Sequence, residues 1–168
     1  ERISPQGGSI RVMTQKRGGK FKRDNSVDKL INLEHKLGLD KAETFYKFDK
    51  KIRLVREKLN KLVCKLKDQG KTIAGFGAPT KATTLMAHFG LDEKVLDFIV
   101  DDNPLKQGLY TPITHIPILS AEALYELQPD YVLVLAWNFA EPIMKAHQMY
   151  GDNIGKFILP MPVPQIVK

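Results

Sequence analysis

Residues 72–168 alternate short apolar runs with helix-patterned stretches, and few folds accommodate that order. Thr72-Ile73-Ala74-Gly75-Phe76 leads into Gly77-Ala78-Pro79 and a helical stretch over 80–89 that stops at Gly90. Val95 to Val100 is the next apolar run, closing on Asp101-Asp102-Asn103-Pro104. A loop over 105–119 precedes a helix opened by Ser120 and stopped by Pro129. Tyr131 to Ala136 is a third apolar run, a helix is expected from Phe139 to Tyr150, and Lys156 to Pro160 is a last strand. Short runs that are apolar on both faces suit strands covered on both sides, with the helices as crossovers. The pattern predicts an α/β domain built on a doubly wound, parallel sheet.

Upstream the pattern differs. Gly7 to Gln15 begins with a flexible pair and then alternates, Ile10, Val12 and Thr14 against Arg11 and Met13, which predicts a short edge or added strand. Lys16 to Arg23 is basic, carries Gly18 and Gly19, and reads as a turn. A helix starts near Asn25 or Ser26, with Val27, Leu30, Ile31 and Leu37 on one face, and stops at Gly38. Asp40 and Glu43 have capping-box spacing for a longer helix, whose apolar residues fall at Phe45, Phe48, Ile52, Val55, Leu59, Leu62 and Leu66. This stripe is expected to cover the chain's own sheet, although a coiled-coil partner is a second use for it.

Charge follows the same division. Residues 1–71 carry a net +11 and residues 72–168 a net −4, which together make the +7 of the 168-residue chain. The expected organisation is therefore an N-terminal strand and helical cover over 1–71, packed on the same domain as an α/β core over 72–168. The lysines of the long helix read as a solvated face and not as a nucleic-acid surface, because no aromatic residues interleave with them. No apolar run approaches the roughly 20 residues of a membrane helix, and a single cysteine, Cys64, excludes a disulfide framework and multi-cysteine metal sites. Cys64 itself reads as a small apolar filler. The lack of a secretory pattern and the low cysteine count suit a cytoplasmic protein. The start at Glu1 suits a piece of a longer one.

In doubly wound sheets ligands bind at the carboxyl edge of the strands, where strand order reverses. That rule selects the loops Gly75–Ala82, Asp101–Gly108 and Trp137–Pro142. In the first, Gly77 and Ala78 permit close backbone approach, Pro79 suits a helix start, and Thr80 and Lys81 add a hydroxyl and a cation, all apt for an anion. A tight strand-to-helix turn calls for the same residues. Asp101 has the position of a ribose-binding acid in nicotinamide sites, while Asp102 and Asn103 also serve a turn before Pro104. Trp137 can stack on a base and Asn138 can bond its edge, or the indole can cap the sheet. His115, in the second loop region, reads as a ligand or turn residue or, equally, as an unliganded loop histidine. His35, His88 and His147 read as surface or packing residues, and no histidine spacing suggests a metal. No catalytic base or triad emerges.

Several ordered motifs resemble one family. Gly75 to Ala82 resembles G-Y-G-A-P-A-K-G, and Val100 to Gly108 is similar to V-D-x-N-P-x-K-Q-G. Thr114 to Ile118 matches T-H-I-P-I, Pro129 to Asn138 resembles P-D-Y-V-L-x-L-x-W-N, and Gly7 to Val12 is similar to the end of H-G-G-S-L-R-V. These belong to the C-terminal domains of S-adenosylmethionine-dependent C-methyltransferases acting on nucleotide-linked deoxysugars. The resemblance implies a Rossmann-like, doubly wound, mainly parallel sheet with an N-terminal strand and two added helices. It also implies that S-adenosylmethionine and zinc belong to central and N-terminal domains outside this chain, which itself carries no cofactor and is inactive alone. The chain then shares in the sugar-nucleotide pocket: Gly77 to Lys81 for the diphosphate, Trp137 and Asn138 for the base, and Asp101, Asn103 and His115 on the sugar side. Its partners are the substrate and the rest of its polypeptide, not nucleic acid or membrane, and a homo-oligomer stays open. Gln6 departs from the family's His, and Ala82 and Ile113 from its Gly. Two other functions remain: a nicotinamide-dependent oxidoreductase domain using Gly75–Lys81 and Asp101, and a non-catalytic assembly module built on the long helix.

Overall fold

The computed structural model describes residues 1–22 and 24–168, without the side chain of Gln6. Arg23, at the end of the basic turn, and the Gln6 side chain lie outside the described residues. The chain forms two compact units, Glu1–Ile52 and Arg53–Lys168. Composition divides the chain at 71, whereas the boundary of compactness falls inside the long helix.

In the first unit, β1 (Arg2–Ile3) and β2 (Ser9–Ile10) pair antiparallel across a 3-10 turn at Pro5–Gly7. The expected strand over 7–15 is thus only two residues long, with Val12 and Met13 exposed. Helix α1 (Ser26–Leu37) starts and stops where the sequence predicts. Gly38 ends it in the left-handed region (φ 69°), and the Leu39 N–H bonds the Glu34 carbonyl at 3.0 Å, closing the last turn. Helix α2 (Ala42–Asp68) follows. Asp40 does not complete a capping box. Its carboxylate instead meets His35 Nδ1 at 3.1 Å, and that bond holds its pKa below the ordinary value. No described side chain of this unit is buried.

The apolar stripe of α2 is covered only near its end. Leu59, Val63 and Leu66 are buried, whereas Phe45 and Phe48 remain 54% and 59% exposed. Cys64 is exposed and fills no gap, because Val63, one position earlier, takes the inward face.

In the second unit, β3 (Ile73–Phe76), α3 (Thr80–Phe89), β4 (Phe98–Val100), β5 (Ile118–Leu119), α4 (Ala123–Glu126), β6 (Tyr131–Val134), α5 (Ala140–Ala146), α6 (Gln148–Asn153), β7 (Lys156–Leu159) and β8 (Gln165–Val167) follow in order. The sheet runs β5-β4-β3-β6-β7-β8, parallel except for β8. This is the doubly wound, mainly parallel arrangement the alternation predicts. Strand order reverses between β3 and β6, so the ligand edge lies at their carboxyl ends. Three elements are shorter than expected. Val95 and Leu96 form a turn on the Asp92 carbonyl before β4. Helix α4 is one turn, ended where Gln128 takes φ 46°. The helix expected over 139–150 breaks at His147 into α5 and α6. No helix among the described residues is long and apolar enough to cross a membrane.

Alternate residues of the strands build the core. Ala74, Phe76, Val100, Val132, Val134 and Phe157 pack with Leu124 of α4 and Tyr150 of α6. The side between β3 and its neighbours is tight at Gly75, where a Cβ would stand 2.9 Å from both Ile99 and Leu135. The amino ends of the strands are tied by carboxylates: Asp130 accepts the Thr72 N–H at 2.9 Å and Lys71 Nζ at 2.9 Å, and Asp97 accepts the Ile73 N–H at 2.8 Å.

Tyr150 is fully buried and donates its hydroxyl to the Pro129 carbonyl at 2.6 Å. Burial pushes its phenol pKa well above the ordinary value, so it stays neutral and donating. Tyr150→Phe leaves that buried carbonyl unpaired and is expected to cost about 1–2 kcal/mol. A lowered urea midpoint with an unchanged m-value is the check.

Candidate functional site

Strand register builds the site. Phe76 stands opposite Val100 on β4 and Val134 on β6, so the three segments that follow leave the sheet side by side. They are fastened immediately: the Gly77 N–H bonds the Val100 carbonyl at 2.7 Å, and the Leu135 N–H bonds the Phe76 carbonyl at 2.9 Å. Gly77 takes φ 88°, and a Cβ there would meet the Ala136 Cβ at 2.7 Å. Only glycine satisfies both the backbone angle and the close approach.

Asp101, at the end of β4, is the knot of the edge. One carboxylate oxygen accepts the Ala78 N–H at 2.7 Å and Lys106 Nζ at 3.0 Å; the other accepts the Asn103 N–H at 2.9 Å. Gln107 Nε2 donates to the Asp101 carbonyl at 3.0 Å. Burial pushes the carboxyl upward, but the Ala78 and Asn103 N–H groups and the Lys106 ammonium outweigh it and hold the pKa below the ordinary 3.8. The charge facing Ala78 in this loop is therefore the protein's own carboxylate.

What remains for a ligand is the next turn. Pro79 occupies the N-cap of α3 in an extended conformation, with no side-chain cap, and the Ala82 N–H turns back to the Pro79 carbonyl at 2.8 Å. The Thr80 and Lys81 N–H groups, as the first two of the helix, have no acceptor within it. Lys81 Nζ lies 4.9 Å from the Trp137 ring centre and 5.5 Å from the Phe139 ring centre. A cation, two aromatic faces and an uncapped helix start thus converge beside the β3–β6 crossover. That combination suits an anion joined to a planar group.

The other predicted residues are dispersed. Asn103 is exposed, and its Oδ1 accepts the Leu105 N–H at 3.0 Å, a local turn bond. Asn138 is exposed beside Trp137 on the same 3-10 turn. His115 is exposed with φ 50°, in a turn closed by Thr111, whose Oγ1 accepts the Ile116 N–H at 2.9 Å. No hydrogen bond joins His115 to the other predicted residues among those described. Ile113 keeps φ 71°, a strained angle for a β-branched residue.

Four residues escaped prediction. Lys106 lies inside a quoted motif and reaches Asp101 within the same loop; Phe139 lies in the loop Trp137–Pro142, and its proximity to Lys81 follows from the adjacency of β3 and β6. His147 and Tyr125 carry no motif. His147 Nδ1 lies 3.0 Å from the Tyr125 hydroxyl, and its ring packs 4.9 Å from that of Phe76. Burial holds its pKa below the ordinary 6.5, against the pull of Asp102 and Glu122. No group of three or more His, Cys, Asp or Glu side chains that suits a metal occurs among the described residues.

Comparison with known proteins adds two findings. Residues 4–162 match the model of the C-methyltransferase C-terminal domain. The chain is 35% identical over 161 residues to C-methyltransferase NovU of Streptomyces niveus, across 96% of this chain and 38% of that relative. It thus spans about two fifths of the length of the curated relative it matches.

Proposed function

This chain belongs to the C-methyltransferase C-terminal domain family, and on that premise we propose that it is the substrate-side domain of an S-adenosylmethionine-dependent enzyme that methylates a nucleotide-linked deoxysugar. The convergence of Lys81, Trp137 and the uncapped start of α3 carries the proposal. Lys81 Nζ and the N–H groups of Thr80 and Lys81 hold the diphosphate, with the Thr80 hydroxyl as a further donor. Gly77, Ala78 and Pro79 give the approach. Trp137 stacks on the base and Asn138 bonds its edge, while Asn103 and His115 border the sugar. Asp101 serves the sugar side indirectly, because its oxygens are engaged by Ala78, Asn103 and Lys106.

The loops of this chain do not fit S-adenosylmethionine. The Lys81 ammonium occupies the aromatic faces that a sulfonium would seek, and the buried carboxylate of this edge, Asp101, is already paired with Lys106. In this reading S-adenosylmethionine and zinc are held by the methyltransferase and zinc-binding parts of a longer cytoplasmic polypeptide, and the present domain binds and orients the substrate without supplying a catalytic group. The engagement of Asp101 also weighs against a nicotinamide site, which needs that carboxylate for the ribose.

Calorimetric titration with a thymidine diphosphate sugar, NADH and S-adenosylmethionine tests the proposal. Binding of the sugar nucleotide alone is expected. Binding of NADH without the sugar nucleotide would sink it.

A further inference from the structure

The unit Glu1–Ile52 carries apolar surface that nothing in it covers. Helix α1 buries none of its twelve residues, although Val27, Ile31 and Leu37 mark one face and all three are exposed. A helix of that length is marginal in water without a packed face. The first apolar residues of α2, Phe45 and Phe48, are exposed as well, so neither stripe covers the other. The strand segment also lacks a partner. Its alternation runs on from Ile10 to Thr14, yet Val12 and Met13 are exposed, and no backbone hydrogen bond engages residues 12–14 among those described. A strand pattern without a neighbour and two stripes without a cover thus lie on one unit, more apolar surface than a folded chain ordinarily leaves to water.

Charge narrows what can cover it. Residues 1–52 hold 13 Lys and Arg against 7 Asp and Glu, an excess of six positive charges. Lys47, Lys50 and Lys51 stand exposed close to Phe45 and Phe48 on α2. A second copy of the unit brings the same excess to the contact and is repelled by it. In a parallel pairing of two α2 stripes, Lys51 of one copy would also lie beside Arg56 of the other, at flanking positions that call for opposite charges. The surface that fits is apolar and rimmed by carboxylates. The match to C-methyltransferase NovU takes up 96% of this chain but only 38% of that relative, so in a polypeptide of that plan most of the length lies outside this chain. Methyl transfer also needs donor and acceptor held in register, which a domain on a loose tether does not secure.

We propose that the apolar face of α1 and the start of α2, rimmed by Lys47, Lys50 and Lys51, docks on the part of its own polypeptide outside this chain, at an apolar surface bordered by Asp and Glu. This rests on the longer polypeptide of the reading above and not on the sugar nucleotide.

The test uses the longest natural polypeptide that carries this chain. A carbodiimide, which joins an amine to a carboxylate only in direct contact, is expected to link Lys47, Lys50 or Lys51 to Asp or Glu residues outside this chain, in a species of monomer mass by light scattering. Amide exchange over Ser26–Leu37 is expected to run about tenfold faster in Phe45→Ser/Phe48→Ser and in Lys47→Glu/Lys50→Glu than in the wild type, a loss of about 1.4 kcal/mol of protection. The four side chains are exposed in this chain, and the charge-reversed pair keeps the test decisive should the serine pair fold poorly. Links between two copies, with a dimer mass that Phe45→Ser/Phe48→Ser halves, overturn the proposal in favour of self-association. Exchange as fast in the wild type as in both variants overturns it too, and leaves the longer polypeptide and its substrate standing. A natural polypeptide no longer than this chain removes the longer-polypeptide reading and this inference together.

Discussion

Asp101→Ala is expected to destabilise the α/β unit by about 3 kcal/mol, because it strands two backbone N–H groups and a lysine that now share one carboxylate. The donors belong to different segments: Ala78 precedes α3, while Asn103 and Lys106 lie in the loop after β4. Losing the carboxylate therefore unties one loop from the other as well as leaving donors unpaired. The corresponding fall in Tm is roughly 6–12 °C for a chain of this size. The dependence on pH has a definite sign. The folded pKa lies below the ordinary 3.8, so Asp101 contributes its full stability above that value and loses it as pH falls through the lowered one. Urea midpoints of wild type and Asp101→Ala should differ most at pH 7 and converge below about pH 4. A gap of the same size at pH 3 would mean that Asp101 acts through packing alone.

The parts of this molecule that were legible are those whose cause is local. Gly38 and Gly90 end helices because the left-handed angle costs glycine little, and both sit there at φ 69°. The strands β3, β4, β6 and β7 were visible as apolar runs because they are buried on both faces. Strands β5 and β8 were not, since two or three residues carry no period and their pairing depends on neighbours far along the chain. The helix expected over 139–150 shows the same limit: its pattern continues through His147, and only the packing of that ring on Phe76 and Tyr125 accompanies the break. In the site, the carboxyl-edge rule names loops that the register of β3, β4 and β6 sets side by side, but roles within them are not readable from sequence. Asp101 looked like a ligand residue because an acid at a strand end is one in nicotinamide sites; the donors that engage it come from two loops that the sheet brings together. Lys81 was selected for its charge, while its aromatic setting depends on the adjacency of β3 and β6.

Lys81 is the residue whose loss should be felt most in binding and least in folding. Its ammonium touches two aromatic faces and has no carboxylate partner among the described residues. Lys81→Ala should therefore cost the fold no more than about 1 kcal/mol, the worth of a partly exposed cation–aromatic contact. A charge-assisted bond to phosphate is worth about 1.5–3 kcal/mol, so affinity for a nucleoside diphosphate is expected to fall roughly 10- to 150-fold. Lys81→Arg keeps the charge and stacks on the same rings, and should retain most of that affinity. Trp137 makes the measurement direct. It is the only tryptophan in the chain, and it lies against Lys81, so its emission reports on this one site. Titrating nucleoside diphosphate against the wild type should shift that emission, and the same titration of Lys81→Ala should require far higher concentrations. Raised salt should weaken the wild type more than the variant, because the variant has already lost the charge that salt screens. Unchanged affinity in Lys81→Ala would remove the diphosphate from this loop and leave the Lys81–Trp137 pair as a contact that only braces the β3–β6 crossover.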